Sequence, residues 1–117
     1  MYPLELRVED FCSWLCRHEW DDVGQPGGCF QSPLALWLSE MTGHVYGVDG
    51  LRYGRALWDG CCWLELPRWA QVFAARLEQV STSVVMGYQA FAILAHVESA
   101  LSRLHRVPSV RRSSEAA

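Results

Sequence analysis

Apolar residues recur at spacings of three and four in several stretches of the chain, and each stretch predicts a helix with one buried face. Val8, Phe11, Cys12 and Leu15 fall at i, i+3, i+4 and i+7, which predicts a helix over 8–18. Glu9 and Asp10 sit in its first turn, where the helix dipole favours acids. Trp14 lies off this stripe and is a candidate for a second contact. A second helix is expected to start at Ser32-Pro33, a capping hydroxyl followed by a residue suited to the first helical position. Leu34, Trp37, Leu38 and Met41 form its stripe, and Gly43 is placed to end it. Pro67 opens a third helix with Trp69, Phe73, Leu77 and Val80 on one face. A fourth and longest helix is expected from Tyr88 to about Arg106, with Phe91, Leu94, Ala95, Val97, Leu101 and Leu104 inward. Pro108 is expected to end it.

Between the second and third helices the period changes. Val45, Tyr46 and Val48, then Leu51 and Tyr53, flank Val48-Asp49-Gly50-Leu51, which predicts a hairpin with Asp49-Gly50 central in a type I′ turn. Cys61 to Leu64 is expected to add a third short strand, since a lone hairpin is marginal. Val84-Val85 is a candidate short strand before the last helix. Residues 19–31 carry acids and then Gly24-Gln25-Pro26-Gly27-Gly28, which cannot continue a helix or a strand. A loop of this length in a small domain is often functional. The expected architecture is α+β: about four α-helices packed on a two- to three-stranded antiparallel hairpin sheet. One domain spans 1–107, and the polar residues 108–117 are expected to be a flexible tail.

Half of the residues are apolar, so an ordinary core needs no disulfide or metal staple, and disorder throughout is excluded. Six Trp in 117 residues exceed what a small core readily hides, so some are expected to line a contact surface. The first fifty residues hold eight acids against two arginines, and the remainder five acids against eight arginines. An acidic and a basic end would steer partners, unless the halves interleave in space. The chain has no Lys or Asn and a single Ile, Ile93; codons for all three are AT-rich, which points to a high-GC bacterial or phage genome. Neither a signal peptide nor an apolar run long enough to span a bilayer is evident, and five cysteines are then expected as reduced thiols in the cytoplasm.

Four segments carry a resemblance. Phe11-x-x-Trp14-Leu15, Ser32-Pro33-Leu34-Ala35-x-Trp37-Leu38, Leu66-Pro67-x-Trp69-Ala70-x-x-Phe73 and Gly87-Tyr88-x-Ala90-x-x-Ile93-Leu94 resemble a group of short uncharacterised bacterial and phage proteins. The likeness spans residues 11–94, and its positions are helix starts and core stripes, so it speaks to fold. In that group Cys often precedes the Pro-Leu-Ala step, where this chain has Ser32. The resemblance implies no activity.

Several constellations invite a chemical reading. Cys12 and Cys16 share a helix face at i, i+4, and with His18 and Cys29 they supply four zinc-type ligands. No Cys-x-x-Cys knuckle supports them, and a Cys on an apolar stripe behaves as a small hydrophobe. Cys29 precedes a helix and His44 follows it, the local order of a thiol nucleophile and its base, and this resembles papain-like proteases. Only 15 residues separate the two, whereas those enzymes bring the His from a distant strand across a larger body. Cys61-Cys62 point to opposite sides of a strand and are read as structural. His18-Glu19-Trp20-Asp21-Asp22 looks like an acidic cation cluster but lacks Asp-x-Asp calcium spacing. Arg103, Arg106, Arg111 and Arg112 form a modest basic stretch, which complements a helix C-terminus, and a sequence pI near 5.7 disfavours nucleic-acid binding.

These residues lead to the expectation of a non-enzymatic protein-binding domain: an adaptor, subunit or inhibitor encoded by a bacterium or mobile element. Its contact residues are expected to be Trp14, Trp20, Asp21, Asp22 and Trp58, and its partner another protein or a second copy of itself. No cofactor and no membrane association are expected. The alternative is a zinc-binding or thiol-based regulator built on Cys12, Cys16, His18 and Cys29.

Overall fold

A computed structural model describes residues 5–57 and 60–116, with side chains except at 57–62 and 103–116. Four helices and three strands follow in the order α1 (Val8–Arg17), α2 (Pro33–Thr42), β1 (Tyr46–Val48), β2 (Arg52–Leu57), β3 (Gly60–Glu65), α3 (Arg68–Leu77) and α4 (Gly87–Ala116). The strands form one antiparallel sheet in the order β1-β2-β3, with Val48 opposite Tyr53 and Tyr53 opposite Leu64. Helices α1 and α3 pack against α4, and α2 lies against β1. This is the expected small α+β fold. Among the described residues no helix is long and apolar enough to cross a membrane.

Local chemistry sets the ends of α2. The Ser32 hydroxyl accepts a hydrogen bond from the Ala35 N–H, Pro33 occupies the first turn, and Gly43 closes the helix in the left-handed region at φ 76°. Gly tolerates this conformation without the steric penalty of a Cβ. The hairpin turn differs from the expectation by one residue. Only Gly50 has positive φ in the turn, and Val48 pairs with Tyr53, so Gly50-Leu51 are the central residues and the left-handed region is needed at the first of them alone. Asp49 sits at the corner, where its carboxylate accepts from the N–H groups of Leu51 and Arg52.

The core centres on Phe11, which is fully buried and touches four rings: Trp14, Trp37, Trp69 and Phe73. Trp14 and Trp37 are therefore buried in the interior, and Trp69 is partly buried against it. Trp14 itself is only 6% exposed, because α1 is flanked by other elements on two faces and not one. The periodicity also mis-phased two other helices. Met41 is exposed, at the end of α2 where the chain leaves the core. In α4 the buried positions are Ala90, Leu94 and Val97, while Phe91 and Ala95 face outward. The helix is assigned through Pro108 to Ala116, past the proline expected to end it.

Candidate protein-interaction surface

Residues 19–24 follow α1 and are stitched to 85–88 by backbone hydrogen bonds. Val23 N–H donates to Val85 O at 2.8 Å, Val85 N–H to Gly24 O at 2.8 Å, and Gly87 N–H to Asp21 O at 3.0 Å. Tyr88 N–H reaches Glu19 O at 2.9 Å. Two of the N–H groups at the start of α4, which no helical carbonyl can satisfy, are thus taken by the loop. The approach is close: a Cβ on Gly87 would lie 1.9 Å from the His18 carbonyl oxygen. The loop after α1 is accordingly clamped along its first half.

The clamp holds Trp20 outward. Trp20 is 74% exposed, more than any other large hydrophobic residue among the described residues. Its ring rests on Tyr88, with centroids 5.4 Å apart. Tyr88 and Phe91 are themselves 45% and 39% exposed. Beside them lies a shallow depression of about 160 Å³ lined by Leu15, Cys16, Glu19, Tyr88 and Phe91. Three aromatic side chains at the surface, on a backbone held by paired hydrogen bonds, form an apolar patch with little freedom to lose on contact.

Carboxylates border the patch. Asp21 binds His18 Nδ1 at 3.0 Å, and Glu40 lies 3.7 Å from His18 Nε2. Glu40 also accepts the indole N–H of Trp14, whose ring packs on His18 at 4.8 Å. Asp22 accepts the Gly24 N–H at 2.8 Å, so this acid shapes the loop. Of the five residues expected to form the contact, Trp20 and Asp21 lie at the exposed patch. Asp22 supports it, Trp14 is buried beneath the acidic rim, and Trp58 lies outside the described residues. Tyr88 and Phe91 escaped the sequence reading, since an apolar run within a helix gives no sign of which members face out.

The thiol arrangements separate. Cys12 and Cys16 are hydrogen-bonded neighbours on α1, and burial pushes the Cys12 thiol up, with Cys16 and Glu98 adding to the effect. Cys29 sits elsewhere, its sulfur against Gly47 of β1, while its carbonyl accepts the Val48 N–H. His18 is engaged with Asp21 and Glu40. Among the described residues no group of three or more His, Cys, Asp or Glu side chains is placed to hold a metal ion. His44 is exposed beyond α2, its N–H on the Thr42 hydroxyl, and no hydrogen bond joins it to Cys29 among the described residues. Cys61 and Cys62 have side chains outside the described set.

No family model, curated protein or solved structure matches this chain.

Proposed function

We propose that this chain is a non-enzymatic binding domain that recognises another protein chain through the surface centred on Trp20. The observation that carries this reading is a tryptophan left 74% exposed on a loop fixed by four backbone hydrogen bonds between residues 19–24 and 85–88. Exposing so much apolar area in an ordered position costs solvation free energy that folding alone does not require. Rigid aromatic anchors of this kind supply much of the binding energy at protein interfaces. Glu19 and Asp21 beside them favour a partner that presents basic groups around an apolar centre.

The test is a comparison of the wild-type chain with Trp20→Ala and Phe91→Ala in quantitative co-purification from a high-GC bacterial host. The reading expects a stoichiometric protein partner whose retention falls at least tenfold in both variants, with the melting temperature unchanged in Trp20→Ala, whose side chain is mostly exposed, and modestly lowered in Phe91→Ala, whose ring is 39% exposed. Equal retention by all three proteins contradicts it.

A further inference from the structure

The proposed function makes no use of the two thiols of α1. Cys12 and Cys16 occupy successive turns on one face of that helix and are hydrogen-bonded neighbours. Cys12 is partly buried and packs against the core. Cys16 is exposed and belongs to the wall of the depression formed with Leu15, Glu19, Tyr88 and Phe91. One sulfur of the pair is therefore sheltered, and the other can be reached from solvent through a shallow, largely apolar mouth.

Helix geometry decides between the two reactions open to such a pair. Side chains four apart on a helix have Cβ atoms about 5–6 Å apart, whereas a disulfide needs about 3.5–4.5 Å. Closing one would distort the turn that carries the fully buried Leu15. A bridging ion asks for less. Two metal–sulfur bonds of about 2.3 Å, the length of a zinc–thiolate bond, let the sulfurs stand up to about 4.6 Å apart. The number of ligands then selects the ion. Zinc asks for four, but Cys29 lies against β1, and His18 is engaged with Asp21 and Glu40. Calcium and magnesium ask for oxygen. Copper(I) is soft, prefers thiolate sulfur, and is satisfied by two thiolates in a line.

We infer that Cys12 and Cys16 form a two-coordinate site for copper(I), which binds as both thiols release their protons to solvent. The bound pair then carries a single negative charge. Glu98 of α4 acts electrostatically on Cys12, so this carboxylate opposes binding and gives the site a recognisable signature. The inference goes beyond the proposed function and does not depend on it.

Anaerobic titration of the reduced full chain with copper(I), in competition with the chromophoric chelator bathocuproine disulfonate, tests it. Cys29, Cys61 and Cys62 are also thiols, so the result is read as a difference between variants. Wild type is expected to hold one equivalent of copper more than Cys16→Ser, a change at an exposed position that leaves the fold intact, and one more than Cys12→Ser. X-ray absorption of the Cys29→Ser/Cys61→Ser/Cys62→Ser variant loaded with one equivalent is expected to show copper with two sulfur neighbours. Glu98→Gln is expected to bind copper about two- to fivefold more tightly, the range of an exposed charge interaction. Equal copper in wild type and Cys16→Ser overturns the inference, as does copper with a single sulfur neighbour. Unchanged or weaker binding in Glu98→Gln places the metal elsewhere and also overturns it. Ready closure of a Cys12–Cys16 disulfide by glutathione disulfide does the same, because the helix would then hold the sulfurs at bonding distance.

Discussion

The indole N–H of Trp14 in α1 donates to the carboxylate of Glu40 in α2, and this bond ties two helices together at the edge of the hydrophobic core. It satisfies a polar atom on a residue that is 6% exposed, and no unpartnered buried side-chain polar atom occurs among the described residues. A buried donor that loses its acceptor costs more than the bond itself contributes. Glu40→Ala is therefore expected to lower stability by about 1–2 kcal/mol, while Glu40→Gln keeps an acceptor and is expected to recover most of it. Urea unfolding of the two variants reads the difference, and equal midpoints would contradict the role given to this bond.

Gly87 and Gly27 provide a paired test of the clamp beneath Trp20. A Cβ on Gly87 meets the backbone of His18, whereas nothing lies within 4 Å of one on Gly27. Gly87→Ala is expected to destabilise by roughly 3 kcal/mol or more, since backbone cannot yield as a side-chain end can, and Gly27→Ala to stay within about 0.5 kcal/mol of wild type. Thermal unfolding distinguishes them. Comparable losses in both variants would mean that residues 19–24 are not held against the start of α4.

The fold was readable wherever the signal was local. The cap at Ser32, the proline at residue 33 and the glycine at residue 43 fixed α2 to the residue, because each acts on the groups beside it. Where tertiary contact decides, the sequence misled. Trp14 breaks the periodicity of α1 yet is buried, because Phe11 gathers rings from α2 and α3 around a second face. Phe91 and Ala95 were read inward because apolar character does not fix phase, and the buried positions that set it are small residues such as Ala90. Asp49-Gly50 announced a turn but not its frame, which pairing with β2 set one residue later. The interaction surface was half legible. Trp20 stands out in a polar loop, but the pairing of residues 19–24 with 85–88 spans more than sixty residues of sequence and has no local signature.

The two thiols of α1 differ in environment. Cys16 is exposed, while Cys12 is partly buried, and burial, Cys16 and Glu98 all raise its pKa. Since the thiolate is the reactive form, iodoacetamide at pH 8 is expected to label Cys16 well before Cys12. Peptide mapping over a time course measures both rates. Faster labelling of Cys12 would show that its thiol is not held in the neutral form.

Asp49 links the hairpin to acid stability. Burial acts to raise its pKa, but the N–H groups of Arg52 and Leu51 and the Arg52 guanidinium outweigh this and hold the carboxyl below its ordinary value. A carboxyl depressed in the folded state stabilises the protein above its unfolded pKa, about 3.9, and loses that contribution as pH falls through the lower folded value. Asp49→Asn is therefore expected to be less stable than wild type at neutral pH, and the gap to narrow below about pH 4. Denaturant midpoints across pH 2–7 check this, and a gap that widens in acid has the wrong sign.

Trp20 touching another protein is the contact on which the proposed function turns. A photoreactive amino acid at position 20, compared with one at the exposed Gln79 in the turn after α3, reads that contact at the residue itself. Irradiation in the host is expected to give a discrete cross-linked protein species from position 20, whether a second copy or a different chain, and none from position 79. Cross-linking from position 20 no greater than from position 79 would contradict the account.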